Sequence, residues 1–191
     1  MTIRRGTYLS SRSVGDASSA RRLAATLAAL VLGLAVSTLP ASAQSQQVGP
    51  SGLPLPRFAS TKSNPVNVRM GPSRDHDVAF TFVKSGVPVE ITQEFDVWLR
   101  IRDSEGAEGW VQKTLLSGRR TALVAPWEKK GTTPMREEPK TEAAIVAEVE
   151  PGVLVDVAEC NGRWCRIAVS GTKGWIEQGR IWGAYPDEVF R

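Results

Sequence analysis

The sequence is poor in the residues that carry most chemistry near neutral pH. It has one histidine, His76, and two cysteines, Cys160 and Cys165, among 191 residues. Covalent catalysis needs a base beside its nucleophile, and a single loop histidine leaves little with which to build that pair. Structural zinc wants four ligands, and two thiolates with one imidazole fall short. Carboxylate pairs such as Glu137-Glu138 exist, but neighbours in a strand or turn diverge. The sequence therefore predicts no catalytic residue, no metal site and no cofactor, and the chain reads as a non-enzyme.

Long apolar runs are also scarce. There is one, LAATLAALVLGLAVSTL at residues 23–39, preceded by Arg4, Arg5, Arg12, Arg21 and Arg22 and followed by PASA. A basic head, an uncharged Ala/Leu stretch and Ala41-Ser42-Ala43 make the three-part pattern of a secretory signal. The run is shorter than the ~20 residues that span a bilayer. The expectation is a signal peptide over 1–43, cleaved between Ala43 and Gln44, and no membrane span afterwards. The Arg21-Arg22 pair leaves the export route open.

Net charge is absent too, once that segment is set aside. The full chain has 24 Lys+Arg and 20 Asp+Glu. Residues 1–43 hold five of the first and one of the second (Asp16), so the remainder carries 19 of each. A neutral product has no electrostatic footprint for nucleic acid and no long-range steering toward anions.

Helical periodicity is missing outside the leader, and what stands in its place is a repeat. VRMGPS (68–73) aligns with MREEPK (135–140), and KSGVPVEI (84–91) with EPGVLVDV (150–157). Trp98 then pairs with Trp164, Ile101 with Ile167, and Gly109-Trp110 with Gly174-Trp175. An ordered series at offsets of 67, 66 and 65 marks tandem modules. Each reads as five short strands: VNVRM, VAFTFVK, VPVEITQ, DVWLRIR and EGWVQ in the first, with counterparts through AIVAEVE, VLVDVAE, RWCRIAV and KGWIE in the second. Pro88 places its strand near an edge.

So few short strands suit a small barrel better than an open sandwich. The predicted fold class is all-β, two tandem barrels after a cleaved signal peptide. The predicted layout is 1–43 signal, 44–59 flexible to semi-rigid linker, 60–125 first domain, 126–184 second domain and 185–191 tail. VAPWEKKGTTP (124–134) joins the modules and is short enough that the barrels touch.

Asn161-Gly162, inside ECNGRWCRI, is a hairpin signal that sets Cys160 and Cys165 on adjacent strands within bridging distance. In an exported protein such a pair is expected to be a disulfide. A C-x4-C redox or metal site is the alternative.

KSNPVNVRMGP, GVPVEI, EFDVW, GAEGWV and LLSGRRTA, spanning 60–124, resemble the exported bacterial SH3-like (SH3b) domains. The second module resembles them more loosely through Gly-Val, Trp-x-Arg-Ile and Gly-Trp. RDHD (74–77) departs from the Gly-Thr-aromatic loop such domains often have. The resemblance implies SH3-type barrels, a periplasmic or secreted location and a non-catalytic role, usually binding peptidoglycan or an envelope protein or peptide.

Alternation along DVWLRIR puts Val97, Leu99 and Ile101 on one face, and Trp98, Arg100 and Arg102 on the other. The second copy sets Cys165, Ile167 and Val169 against Trp164 and Arg166. With the aliphatic face inside, Trp98, Arg100, Trp164 and Arg166 form an outward candidate ligand platform, or else a packing contact between strands. Trp110 and Trp175 are expected to close the barrels. Arg119 and Arg120 are a candidate anion clamp, or a solvated edge or module contact. Besides binding, an assembly protein and a wall hydrolase using His76 remain as other functions.

Overall fold

The computed structural model describes residues 47–191, so the predicted signal peptide and its cleavage site lie outside the described residues. Among the described residues no helix is long and apolar enough to cross a membrane.

A two-stranded ribbon comes first, β1 (Gln47–Val48) with β2 (Pro54–Leu55). The first module then contains β3 (Arg57–Thr61), β4 (Val66–Arg69), β5 (Val78–Phe82), β6 (Pro88–Phe95), β7 (Trp98–Arg102), β8 (Glu108–Gln112), a 3-10 turn (Lys113–Leu115) and β9 (Leu116–Ser117). The second repeats this with β10 (Thr121–Val124), β11 (Thr133–Arg136), β12 (Ile145–Val149), β13 (Leu154–Asn161), β14 (Trp164–Val169), β15 (Thr172–Glu177), a 3-10 turn (Gln178–Arg180) and β16 (Ile181–Trp182). A final strand, β17 (Val189–Phe190), pairs with β13.

The two sheets follow the same path, β5-β4-β8-β7-β6-β3-β9 and β12-β11-β15-β14-β13-β10-β16. The repetition extends to irregularities. Register shifts fall after Val68 and Ile91 in one copy, and after Met135 and Val157 in the other. A bulge bends a strand, so equal bulges curl both sheets alike around separate cores. Val66, Val68, Leu99, Ile101 and Val111 fill the first core, and Met135, Val155, Ile167, Ile176 and Ile181 the second. The all-β class and the tandem barrels stand as expected from sequence.

Two glycines show why the Gly-Trp pairs recur. A Cβ on Gly109 would lie 2.5 Å from Val68 Cγ1 and 2.8 Å from the Arg69 carbonyl; on Gly174 it would lie 2.7 Å from the Arg136 carbonyl. Here β8 and β15 press against β4 and β11, and only glycine permits that approach. The repeated arginines also have one task in common. Arg69 Nη1 donates to the His76 carbonyl and Arg136 Nη1 to the Ala143 carbonyl, each at 2.7 Å. Each guanidinium braces the loop that follows its own strand.

Two boundaries differ from the sequence reading. From Gln47 onward the segment read as a linker is folded: Ser51 N and Oγ donate to Glu94, as does Arg57 Nη2 at 2.6 Å, and Phe58 and Ala59 are buried in β3. Those hydrogen bonds hold the Glu94 carboxyl below its usual range against the opposing effect of burial. Thr121–Val124, read as the end of the first domain, pairs with β13 and β16 of the second. The junction is therefore the short stretch 118–120, and residues 124–134 lie within the second module. Periodicity could not reveal β3 or β10, because four or five residues with Ser or Thr at key points look like loop.

The barrels touch through polar groups. Ser60 Oγ donates to the Arg119 carbonyl at 2.7 Å and lies 2.6 Å from Thr121 Oγ1, which donates to the Gly86 carbonyl at 2.6 Å. Ser60 and Thr121 are buried, and a buried hydroxyl left unpaired would be costly. The tail after Trp182 completes the contact. Tyr185 Oη donates to Glu90 Oε1 across the junction at 2.8 Å, and its ring lies 4.7 Å from that of Phe58.

Candidate functional site

The disulfide forms as expected. Cys160 and Cys165 are directly opposed on β13 and β14, their Cα atoms 4.1 Å apart, and bonded. Asn161 Oδ1 accepts from the backbone N–H groups of Arg163 and Trp164, and Gly162 takes a φ of 95°. This turn chemistry sets the register that brings the two sulfurs together. Neither cysteine is a free thiol. His76 sits on an exposed loop with its ring over Gly71, where a Cβ would collide with it.

The tryptophans reverse the expected arrangement. Trp98 is 7% exposed and Trp164 3% exposed, so neither offers an open platform. Neither belongs to the aliphatic cores, so alternation assigned the side of the sheet correctly. What it could not supply is the cover over that side. The 3-10 turns fold back here, Lys113 N donating to the Val97 carbonyl and Gln178 N to the Arg163 carbonyl. Trp164 shares a small depression with Thr133, Pro134, Arg136, Glu177 and Arg180. Arg180 is fixed there by a bidentate pair to Glu128, at 2.6 and 2.9 Å. Val97, read as a core residue, is instead 49% exposed in the turn that Asp96 makes with φ 51°.

Trp110 and Trp175, expected to close the barrels, are the half-buried ones. Their neighbours Gly109 and Val111, or Gly174 and Ile176, face inward and are buried, which turns each Trp outward. Register places Trp110 between Arg69 and Arg100, and Trp175 between Arg136 and Arg166. The Arg/Trp face read from the sequence thus exists in both modules, but carried by the other tryptophan. Strand β8 was the clue: a glycine on the inner side of a strand forces the following residue out.

Arg100 is partly exposed and pairs with Glu108 at 2.7 Å. Its counterpart Arg166 lies 3.6 Å from Glu159. The structure brings Arg166 together with Arg119 and Arg120, three predicted site residues from two segments, around one open depression. Lys173 joins them, and Asp156, Val157, Ala158, Ile167 and Ala168 complete the lining. Arg100 and both buried tryptophans lie elsewhere.

The cations differ in freedom. Arg120 donates to the Gly183 carbonyl and to Glu188 Oε2, at 3.1 and 2.7 Å, and its guanidinium lies 4.2 Å from the Phe190 ring centroid. It is a structural tie between the tail and the junction. Arg119 pairs with Asp156, but 63% of its side chain is exposed. Lys173 makes no ion pair among the described residues and was not anticipated. A single lysine in a strand becomes informative only when register sets it opposite Ala168. The depression presents partly exposed donors over a small apolar floor, an arrangement suited to binding an anionic group. Among the described residues no cluster of His, Cys, Asp and Glu could hold a metal.

Comparison with known proteins bears on the family and the fold, not on the depression. A 25% identical stretch of 118 residues, 58% of this chain, matches the putative N-acetylmuramoyl-L-alanine amidase YrvJ of Bacillus subtilis (strain 168). It spans only 23% of that protein. Among solved structures, NlpC1 from Trichomonas vaginalis has a TM-score of 0.31 at 16% identity, over 74% of this chain and 48% of its own. An NlpC/P60 family protein from Bacillus cereus ATCC 10987 has a TM-score of 0.28 at 12% identity, over 65% and 55%. The bacterial SH3 domain profile matches twice, at residues 62–118 and 129–183, one match on each barrel. Covering more than half of the chain, these matches establish that it belongs to the bacterial SH3 domain family.

Proposed function

We propose that this chain is an exported, non-catalytic binding module that recognises cell-wall peptide or an envelope protein. The observation that carries this reading is the open cationic depression, where Arg119, Arg166 and Lys173 meet beside the outward Trp175. Aromatic and arginine side chains together give contact area and directed hydrogen bonds for a peptide. The disulfide supports an oxidising, periplasmic or secreted setting. The relative's printed name, an amidase of N-acetylmuramoyl-L-alanine, points in the same direction. The likeness covers a minor part of that protein, so the wall is carried over as a ligand and amidase activity is not.

Co-sedimentation with purified sacculi tests the reading. The protein should pellet, and Arg119→Glu/Arg166→Glu should pellet less. A protein that stays in solution with sacculi and also captures nothing from envelope extracts would overturn it.

A second reading, an assembly protein of the envelope, draws on the polar junction and on the Tyr185–Glu90 bond that join the modules. It requires a stable oligomer by light scattering, whereas the binding reading holds for a monomer.

A further inference from the structure

The two modules correspond row by row, and one row differs. Across β3, β6, β7 and β8, Phe58, Glu90, Arg102 and Glu108 stand opposite one another. The same row across β10, β13, β14 and β15 reads Thr121, Asp156, Ala168 and Lys173. The first row is filled. Glu90 accepts from Arg102 and from the Tyr185 hydroxyl, and Phe58 packs on the Tyr185 ring. A segment of the chain's own tail therefore rests on that face of the first module. The second row is open. Ala168 stands where the first module has Arg102, Ala158 replaces Thr92 beside it, and a depression of about 370 Å³ results.

We infer that this depression docks a short peptide bearing a free carboxylate, at the place the Tyr185 segment occupies on the first module. The inference rests on the binding function proposed above and names its ligand. Lys173, Arg166 and Arg119 would receive the carboxylate, and Asp156 would accept a peptide N–H or hydroxyl as Glu90 accepts Tyr185. The charge balance favours a monoanion. The lining holds Arg119, Arg120, Arg166 and Lys173 against Asp156, while Glu159 and Glu188 pair with Arg166 and Arg120 just outside. One positive charge remains in excess, which matches a single carboxylate better than a polyanion. The floor of Val157, Ala158 and Ala168 accepts small apolar side chains, and the volume lies at the lower end for ligand pockets.

The test pairs tri-alanine with its C-terminal amide, followed by amide NMR shifts at Ala168 and Lys173, and repeats sacculus pelleting with two variants. Ala168→Arg restores the residue that the first module tolerates in this row and fills the depression. Lys173→Glu reverses its free charge. The free acid should shift both amides and bind about tenfold more tightly than the amide, as expected for loss of one charge-assisted contact. Both variants should lose this binding while keeping wild-type unfolding midpoints. Equal binding of acid and amide, or unchanged binding by both variants, would overturn the inference. Weaker pelleting of the variants would identify wall peptide as the source of the carboxylate. Tri-alanine binding without any pelleting would assign it to the C-terminus of an envelope protein. If the protein pellets and neither variant matters, the site is wrong and the broader function stands.

Discussion

Replacing Tyr185 with Phe should loosen the junction between the barrels, and by an amount that depends on pH. The hydroxyl donates at 2.8 Å to Glu90, which is 3% exposed. A hydrogen bond to a buried charged group contributes about 2 kcal/mol, and the variant should lose about that much at pH 7. Burial first, and then Glu90, raise the Tyr185 pKa above its ordinary value. A raised folded pKa means that the stabilising contribution is complete below the unfolded value, near pH 10, and declines as pH climbs toward the folded value. Between the two the unfolded chain has lost a proton that the folded one retains. Stability then falls by about 1.4 kcal/mol per pH unit. The advantage of wild type over Tyr185→Phe should therefore shrink from about 2 kcal/mol at pH 7 to about 0.6 kcal/mol at pH 11. Urea unfolding of both proteins at pH 7, 9, 10 and 11, followed by Trp fluorescence, measures that difference directly. Other titrations cancel between the two proteins. Equal midpoints at pH 7, or a constant gap from pH 7 to 11, would refute the claim that this bond ties the modules together.

Four further outcomes are expected. Trp98→Ala should cost about 3–5 kcal/mol in urea unfolding, as for a buried aromatic, while Trp110→Ala should cost much less; equal losses would contradict the exchange of roles between these tryptophans. Gly109→Ala should destabilise by about 1–3 kcal/mol in the same assay, because the added methyl meets both the buried Val68 side chain and the Arg69 carbonyl. Reducing Cys160–Cys165, or replacing both with Ala, should lower stability by about 2 kcal/mol, the modest value expected for so short a closed loop. Glu128, whose pKa is lowered first by its hydrogen bond from Arg180, contributes stability above the unfolded carboxylate pKa that is lost as pH falls through the folded one. Glu128→Gln should accordingly flatten the acid branch of the stability profile below about pH 4.3.

Much of this architecture was legible because tandem repetition amplifies weak signals. Trp98/Trp164, Ile101/Ile167 and the Gly-Trp pairs fixed two modules, and Asn161-Gly162 between two cysteines fixed a hairpin and its bridge. The site was less legible, since alternation reports which side of a sheet a residue faces and not what lies over that side. Trp98 and Trp164 faced away from the aliphatic cores and were nevertheless covered. Lys173 and Ala168 became meaningful only as a cross-strand pair, a relation that no one-dimensional pattern contains. The tail failed for a similar reason. Tyr185 and Glu188 act through partners 95 and 68 residues away, Glu90 and Arg120.

The paired arginine braces have a consequence for how the loops between β4 and β5, and between β11 and β12, can vary. Arg69 and Arg136 each grip a main-chain oxygen, of His76 and of Ala143. A carbonyl is common to every amino acid, so the grip is indifferent to the side chain attached there. In one copy the gripped residue is an imidazole on an acidic stretch, and in the other a bare methyl. The path of each loop is thus held by a group that imposes no demand on its lettering. The same barrel can then display new chemistry at that rim without relearning how to fold.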